Sequence, residues 1–135
     1  MDNSIDNQII SLLQKNARMS NVEIAKAVGL TEGAIRRRIS NLEKSGVISK
    51  YTIEVSSSGR VFAVVMVKSK DETKKMMSDI KSLGISYDLY EVSGEFDGCI
   101  ILDGSSIEEL DQKIDKLRKL PGVADTKTFV SFKHW

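Results

Sequence analysis

Residues 20–44 read SNVEIAKAVGLTEGAIRRRISNLEK, and the punctuation of this stretch decides the fold. Ser20 and Glu23 stand at capping-box spacing: the Ser20 hydroxyl can accept from the Glu23 amide while the Glu23 carboxylate reaches back to the Ser20 amide, which starts a helix there. Gly29 ends that helix. Thr31 two residues later is a suitable N-cap for another, expected to run to about Lys44 and to close at Ser45-Gly46, with Gly46 free to take a positive φ. Two helices joined by so short a turn must cross steeply, which needs a small residue at the crossing, a glycine in the turn and a branched anchor beyond it. Ala25, Gly29 and Ile35 fill these places.

Around this pair the apolar spacing stays helical: Ile5, Ile9, Leu12 and Leu13 form one stripe, Ile24, Ala25 and Val28 a second, and Ile35, Ile39 and Leu42 a third. A three-helix, helix-turn-helix unit of winged-helix type is therefore expected over residues 1–50. At about 100° per residue, with Ile35, Ile39 and Leu42 inward, Gly33, Arg37, Ser40, Asn41 and Lys44 point outward and Arg36 lies on a flank. This is the outer face a groove-inserted helix needs, since arginine grips guanine bidentately, asparagine reads adenine, and lysine, serine and threonine hold phosphates. Thr31, Gly33, Arg36, Arg37, Ser40, Asn41 and Lys44 are the candidate DNA-contacting residues. Gly33 lowers helix propensity by roughly 1 kcal/mol relative to alanine, a cost that makes sense where the helix start approaches DNA closely. Arg38 borders the core and should be paired, with Asp6 as the preferred partner and Glu43 as the other candidate.

Charge follows the same division. The chain has 135 residues, 20 Lys+Arg and 19 Asp+Glu, so its net charge of +1 marks no global polyanion binder. Residues 1–50, however, hold eight basic and five acidic residues, and the excess lies in residues 31–50. One cysteine, Cys99, and one histidine, His134, cannot build a disulfide framework or a Cys/His metal site; no metal, no cofactor and no catalytic residue is expected. The longest apolar runs, Val61–Val67 and Cys99–Leu102, are far short of the roughly 20 residues that span a bilayer, and the start of the chain carries Asp2, Asn3 and Asp6 rather than a basic leader. A cytoplasmic protein with no membrane partner is expected.

After Lys50 the period changes. Val47–Val55 reads as a strand-like connector, Ser56-Ser57-Ser58-Gly59 as a linker, and residues 51–59 together as the join. Residues 60–135 then give a strand at Val61–Lys68, a helix at Thr73–Leu83, two strands at Ser86–Ser93 and Asp97–Leu102, a helix through Ile107, Leu110, Ile114 and Leu117, and a strand at Ala124–Phe132. The order βαββαβ is ferredoxin-like, so the whole chain is α+β. Val61–Val67 and Ile100–Leu102 do not alternate apolar with polar, so the face of the sheet away from its helices is expected to be covered, most economically by a second copy. A two-fold homodimer would offer two recognition helices to a pseudo-palindromic operator in double-stranded DNA.

The run Ile5-Asp6-x-x-Ile9-Ile10-x-Leu12-Leu13-Gln14-x-Asn16-Ala17-Arg18, with Ile24-Ala25-x-x-Val28-Gly29-Leu30-Thr31 and Ile35-x-x-Arg38-Ile39-x-x-Leu42-Glu43-x-x-Gly46-Val47-Ile48-x-x-Tyr51, closely resembles the DNA-binding domain of the leucine-responsive regulatory protein/AsnC (Lrp/AsnC) transcription regulators. Tyr90–Asp97 looks like that family's Gly-x-aromatic-Asp turn, with Glu95 and Phe96 where Asp and Tyr are frequent, and Leu120-Pro121-Gly122-Val123 looks like its approach to the last strand. The resemblance implies a C-terminal domain for dimerisation and for binding a small effector, usually an amino acid, and assembly of dimers into a higher oligomer such as an octamer. It places the effector near Gly94, Glu95, Phe96 and Asp97 and the last strand, where Thr126 and Thr128 carry hydroxyls. The function expected is a sequence-specific transcription regulator responding to a small molecule. The rivals are an effector-independent architectural DNA binder and, with no acid–base pair, activated nucleophile or phosphate loop in view, an enzyme.

Overall fold

The computed structural model describes residues 3–55 and 59–135 as two compact units, one ending at Glu54 and the next beginning at Val55. The serine linker Ser56-Ser57-Ser58 lies outside the described residues.

The first unit holds three helices, α1 (Asn3–Lys15), α2 (Asn21–Val28) and α3 (Glu32–Lys44). Local chemistry starts and stops them as the sequence suggests. The Ser20 hydroxyl accepts from the Glu23 amide at 3.1 Å and the Glu23 carboxylate from the Ser20 amide at 3.1 Å. Gly29 takes φ 77° and its N–H donates to the Ala25 carbonyl, a left-handed cap that a side chain would strain. The Thr31 hydroxyl accepts from the Ala34 amide at 3.2 Å. Ile9, Ile24, Ala25, Ile35 and Leu42 are buried together, with Leu13, Val28 and Ile39 packed around them.

The expected connector strand is absent: Val47–Val55 forms no ladder among the described residues. Alternation in Tyr51-Thr52-Ile53-Glu54-Val55 satisfies a strand's local preference, but a strand exists only when a neighbour takes its N–H and C=O groups. Ile53 accordingly stands 79% exposed.

The second unit contains β1 (Val61–Ser69), α4 (Thr73–Ser82), β2 (Ser86–Glu91), β3 (Gly98–Gly104), α5 (Ile107–Arg118) and β4 (Val123–Val130). Its sheet has the order β2-β3-β1-β4, every pair antiparallel. Ala63, Val65, Ile100 and Leu102 turn one face toward Met76, Ile80, Leu110 and Leu117 of the helices, and all eight are buried. At the start of α5 the Glu109 carboxylate accepts from the Ser105 hydroxyl at 2.6 Å and the Ser105 amide at 2.5 Å. Those two bonds pull its pKa down to about 2. Among the described residues no helix is long and apolar enough to cross a membrane.

Candidate nucleic-acid interface and ligand-site residues

The recognition helix has two faces set by its core. Ile35 is wholly buried and Leu42 nearly so; on the far side Gly33, Arg37, Asn41 and Lys44 are exposed, as are Thr31 at the cap and Arg36 on the flank. Ser40 is half-buried instead of fully outward. It sits in a recess shared with Asn21, Ile39 and Tyr51.

The three consecutive arginines have separate fates. Arg38 donates from Nη1 to Asp6 Oδ1 on α1 at 3.0 Å, half-shielded from water, so it pins α1 to α3. Asp6 and not Glu43 is its partner. Arg36 makes a two-pronged pair with Glu32 one turn earlier, Nε to Oε1 at 3.2 Å and Nη2 to Oε2. Arg37 alone of the three has no ion-pair partner among the described residues; with Asn41 it lines an open cleft of ≈ 760 Å³ beside Asn3, Asp6 and Asn7 of α1. The five donors of its guanidinium are thus available to an acceptor outside the unit. Glu43 is taken by Tyr51, whose hydroxyl donates to Oε1 at 2.9 Å; partial burial, then that carboxylate, raises the phenol's pKa. This bond folds the start of the connector back onto α3. Nothing local announces a Glu43–Tyr51 contact; the Glu32–Arg36 pair, which the sequence reading passed over, does have a local signal in its i, i+4 spacing.

In the second unit the turn between β2 and β3 is held by Asp97. The Asp97 amide donates to the Val67 carbonyl at 2.9 Å, and its carbonyl accepts from the Val92 amide at 2.9 Å. Its Oδ2 accepts from the Ser69 amide at 2.8 Å. The ladder of β1 with β4 shifts register between Lys68 and Ser69, which frees that amide from regular pairing. The Asp97 carboxylate, the negative charge nearest the expected effector position, therefore has one oxygen committed to bracing the turn. Gly94 has φ 127°, a backbone state that side chains rarely adopt; with Glu95 it is exposed, while Phe96 is half-buried.

Thr126 pairs with Val67 and Thr128 with Val65 across the β1–β4 ladder, so both lie on the helix-covered face. Thr126 Oγ1 is 3.4 Å from Arg118 Nε, and Thr128 Oγ1 is buried without a hydrogen-bond partner. The turn and Thr126 meet at one end of the sheet, around Val67; Thr128 lies one pleat further in. On the opposite face Phe62, Val64, Met66, Cys99 and Ile101 are half-buried and Phe129 is exposed.

Residues 2–49 match the winged helix-turn-helix DNA-binding family and residues 60–135 the Lrp/AsnC ligand binding domain. The chain is 34% identical to the HTH-type transcriptional regulator LysM of Sulfurisphaera tokodaii, covering 96% of this chain and 94% of the relative. Two solved structures share the fold. The leucine response regulatory protein LrpA of Mycobacterium tuberculosis aligns at TM-score 0.84 with 21% identity, over 100% of this chain and 94% of its own. The transcriptional regulator NMB0573 of Neisseria meningitidis, solved as a complex with L-Met, aligns at TM-score 0.78 with 21% identity, over 98% and 91%. With a DNA-binding half and a ligand-binding half matched in this order, the chain belongs to the Lrp/AsnC family of DNA-binding transcription regulators, proteins that act by binding and not by catalysis.

Proposed function

We propose that this regulator reads a pseudo-palindromic operator with α3 and that an amino acid bound in the second unit alters its DNA binding or assembly. The observation that carries the first part is the opposition on α3 of buried Ile35 and Leu42 to exposed Arg37, Asn41 and Lys44. Arg37 is a base reader, Asn41 its neighbour on the same face, Arg36 a further contact from the flank, and Thr31, Gly33, Ser40 and Lys44 set the register against sugar and phosphate. Arg37→Ala is expected to weaken operator binding by roughly 1–3 kcal/mol and to relax preference at one base position, while Lys44→Ala lowers the salt slope by about 1 and weakens all sequences alike. Titration of the full chain on duplexes selected from a random pool measures both. An unchanged footprint and affinity in Arg37→Ala would reassign the face.

Support for an amino-acid effector comes from the matched ligand-binding domain and from the L-Met complex of the Neisseria relative. The candidate residues are Gly94, Glu95, Phe96 and Asp97 at the sheet end, with Thr126 beside them and Thr128 further in. A ligand held at 100 times its dissociation constant adds about 2.7 kcal/mol to stability, so a thermal-shift screen of the twenty amino acids should single out one or a few. A flat screen, with operator affinity unmoved, favours the effector-independent binder.

Two copies are expected to join through the sheet face bearing Phe62, Val64, Met66, Cys99, Ile101 and Phe129, since a contiguous apolar patch on a lone chain marks an interaction surface. Assembly of such dimers into a higher oligomer, such as an octamer, is the further expectation. Sedimentation at micromolar concentration distinguishes dimer, higher oligomer and monomer.

A further inference from the structure

We propose that Glu32 is a specificity-determining positioning residue: it holds Arg36 for guanine readout and keeps that arginine off the phosphates. The inference rests on the reading of α3 as the recognition helix. It goes beyond it in giving a role to an acidic side chain inside a surface otherwise selected for binding a polyanion.

The observation is the geometry of the pair. Both carboxylate oxygens of Glu32 are engaged by Arg36, Oε1 by Nε and Oε2 by Nη2. Such a fork fixes the plane of the guanidinium as well as its position. Nε–H and one hydrogen of Nη2 are used, which leaves one hydrogen of Nη1 and one of Nη2 side by side on the end edge of the guanidinium, the second Nη1 hydrogen pointing back toward Cδ. That edge is the one that can grip the O6 and N7 acceptors of a guanine bidentately. The pair is solvent-accessible, with 65% of the Arg36 side chain and 39% of the Glu32 side chain exposed. It therefore adds little to the stability of the unit, and burial gives no reason for it. It also occupies the first turn and a half of α3, directly after the Thr31 cap, where a helix that enters a groove end-on meets the base edges first.

An unpaired arginine beside DNA can bind any phosphate, and such contacts tighten every site equally. The Glu32 carboxylate is repelled by phosphate, so it penalises the arrangement in which Arg36 slides to the backbone, and leaves the base-facing arrangement as the favourable one. Discrimination is a difference of affinities, and a repulsive element against the wrong partner raises it even while it lowers overall binding.

The test uses the full chain and a random-pool duplex selection on wild type, Glu32→Gln, Arg36→Ala and the double variant, with titrations across a salt series on the selected and on an unrelated duplex. Glu32→Gln keeps the length and a hydrogen-bonding head but removes the charge, and unchanged thermal unfolding verifies that it folds. The expected result is about fivefold tighter binding to the unrelated duplex, a salt slope steeper by about 1, and about tenfold loss of guanine preference at one position per half-site. Arg36→Ala should lose the same position, and the double variant should lose no more than Arg36→Ala alone, because Glu32 acts through Arg36. The proposal is overturned if Glu32→Gln selects the wild-type motif with the wild-type salt slope, or if its losses add to those of Arg36→Ala. A wild-type chain that selects no motif at all would instead remove the recognition-helix reading beneath it, which is a distinct outcome.

Discussion

Ile35→Ala is expected to abolish DNA binding at 25 °C by unfolding the helix-turn-helix unit, without touching any DNA-facing atom. Ile35 is wholly buried where α3 crosses α2, in a cluster with Ile9, Ile24, Ala25 and Leu42. Removing three carbons from such a site loses their transfer free energy and leaves a cavity, together about 2–5 kcal/mol. A unit that ends at Glu54 has at the usual 0.05–0.15 kcal/mol per residue only about 3–8 kcal/mol in total, so the loss is comparable with the whole. Circular dichroism should show the unit's thermal midpoint falling by more than about 10 °C, at about 4–8 °C per kcal/mol. Ile35→Val, which removes one methyl, should cost about 0.5–1.5 kcal/mol and retain binding. A midpoint within 2 °C of wild type for the alanine variant would mean that the crossing is not anchored by this residue.

In the second unit the severe site is a glycine. Gly98 is buried at the start of β3, opposite Val67 on β1. A Cβ built there would lie 2.7 Å from Val67 Cγ2 and 2.8 Å from Met77 Sδ. Methionine can swing aside, but the valine is branched, stiff at χ1 and itself wholly buried, so the strands must part. Gly98→Ala should therefore cost about 2 kcal/mol and Gly98→Val about 3 kcal/mol, at the upper end of overpacking penalties. The displacement falls on Val67 and Ser69, the two residues that Asp97 grips, so any amino-acid response should be lost together with stability. Combining Gly98→Ala with Val67→Ala supplies the check. The second change alone leaves a cavity, yet the pair should cost clearly less than the sum of the two, because the added methyl occupies the vacated space. Strict additivity in chemical unfolding would show that the clash is relieved elsewhere.

The Asp97 brace alters how the effector site is approached by mutation. Asp97→Ala would remove a possible ammonium partner and also orphan the Ser69 amide, two effects that a single readout merges. Asp97→Asn retains an acceptor for that amide while removing the charge, and so separates them: a charge-dependent ligand contact is lost with the brace in place.

What the sequence determined by itself is everything written within about four residues of chain. The capping box at Ser20 and Glu23, the left-handed Gly29, the Thr31 cap and the apolar spacing of Ile35, Ile39 and Leu42 are each written in about one or two helical turns of chain, so they can be read without knowing which segments meet. The order of strands and helices after Arg60 was legible for the same reason, with ends correct to within a few residues. The wheel position of Arg38 at the border of the core announced that it needs a carboxylate, but Asp6 lies 32 residues away, and the packing of α1 on α3 decided between it and Glu43. Tertiary structure alone decided the remainder. Val47–Val55 reads as a strand but has no ladder partner among the described residues, and pairing is a property of two segments, never of one. Thr126 and Thr128 fall on the helix-covered face because of the β1–β4 register, and a slip of one residue would have turned both outward. Asp97 faces Ser69, and Gly98 faces Val67, only because a turn some 28 residues further along the chain returns to the end of β1. Which partner a charged side chain takes, and how little room a glycine has, are set by such returns, since local propensity fixes the elements while only packing brings their side chains together.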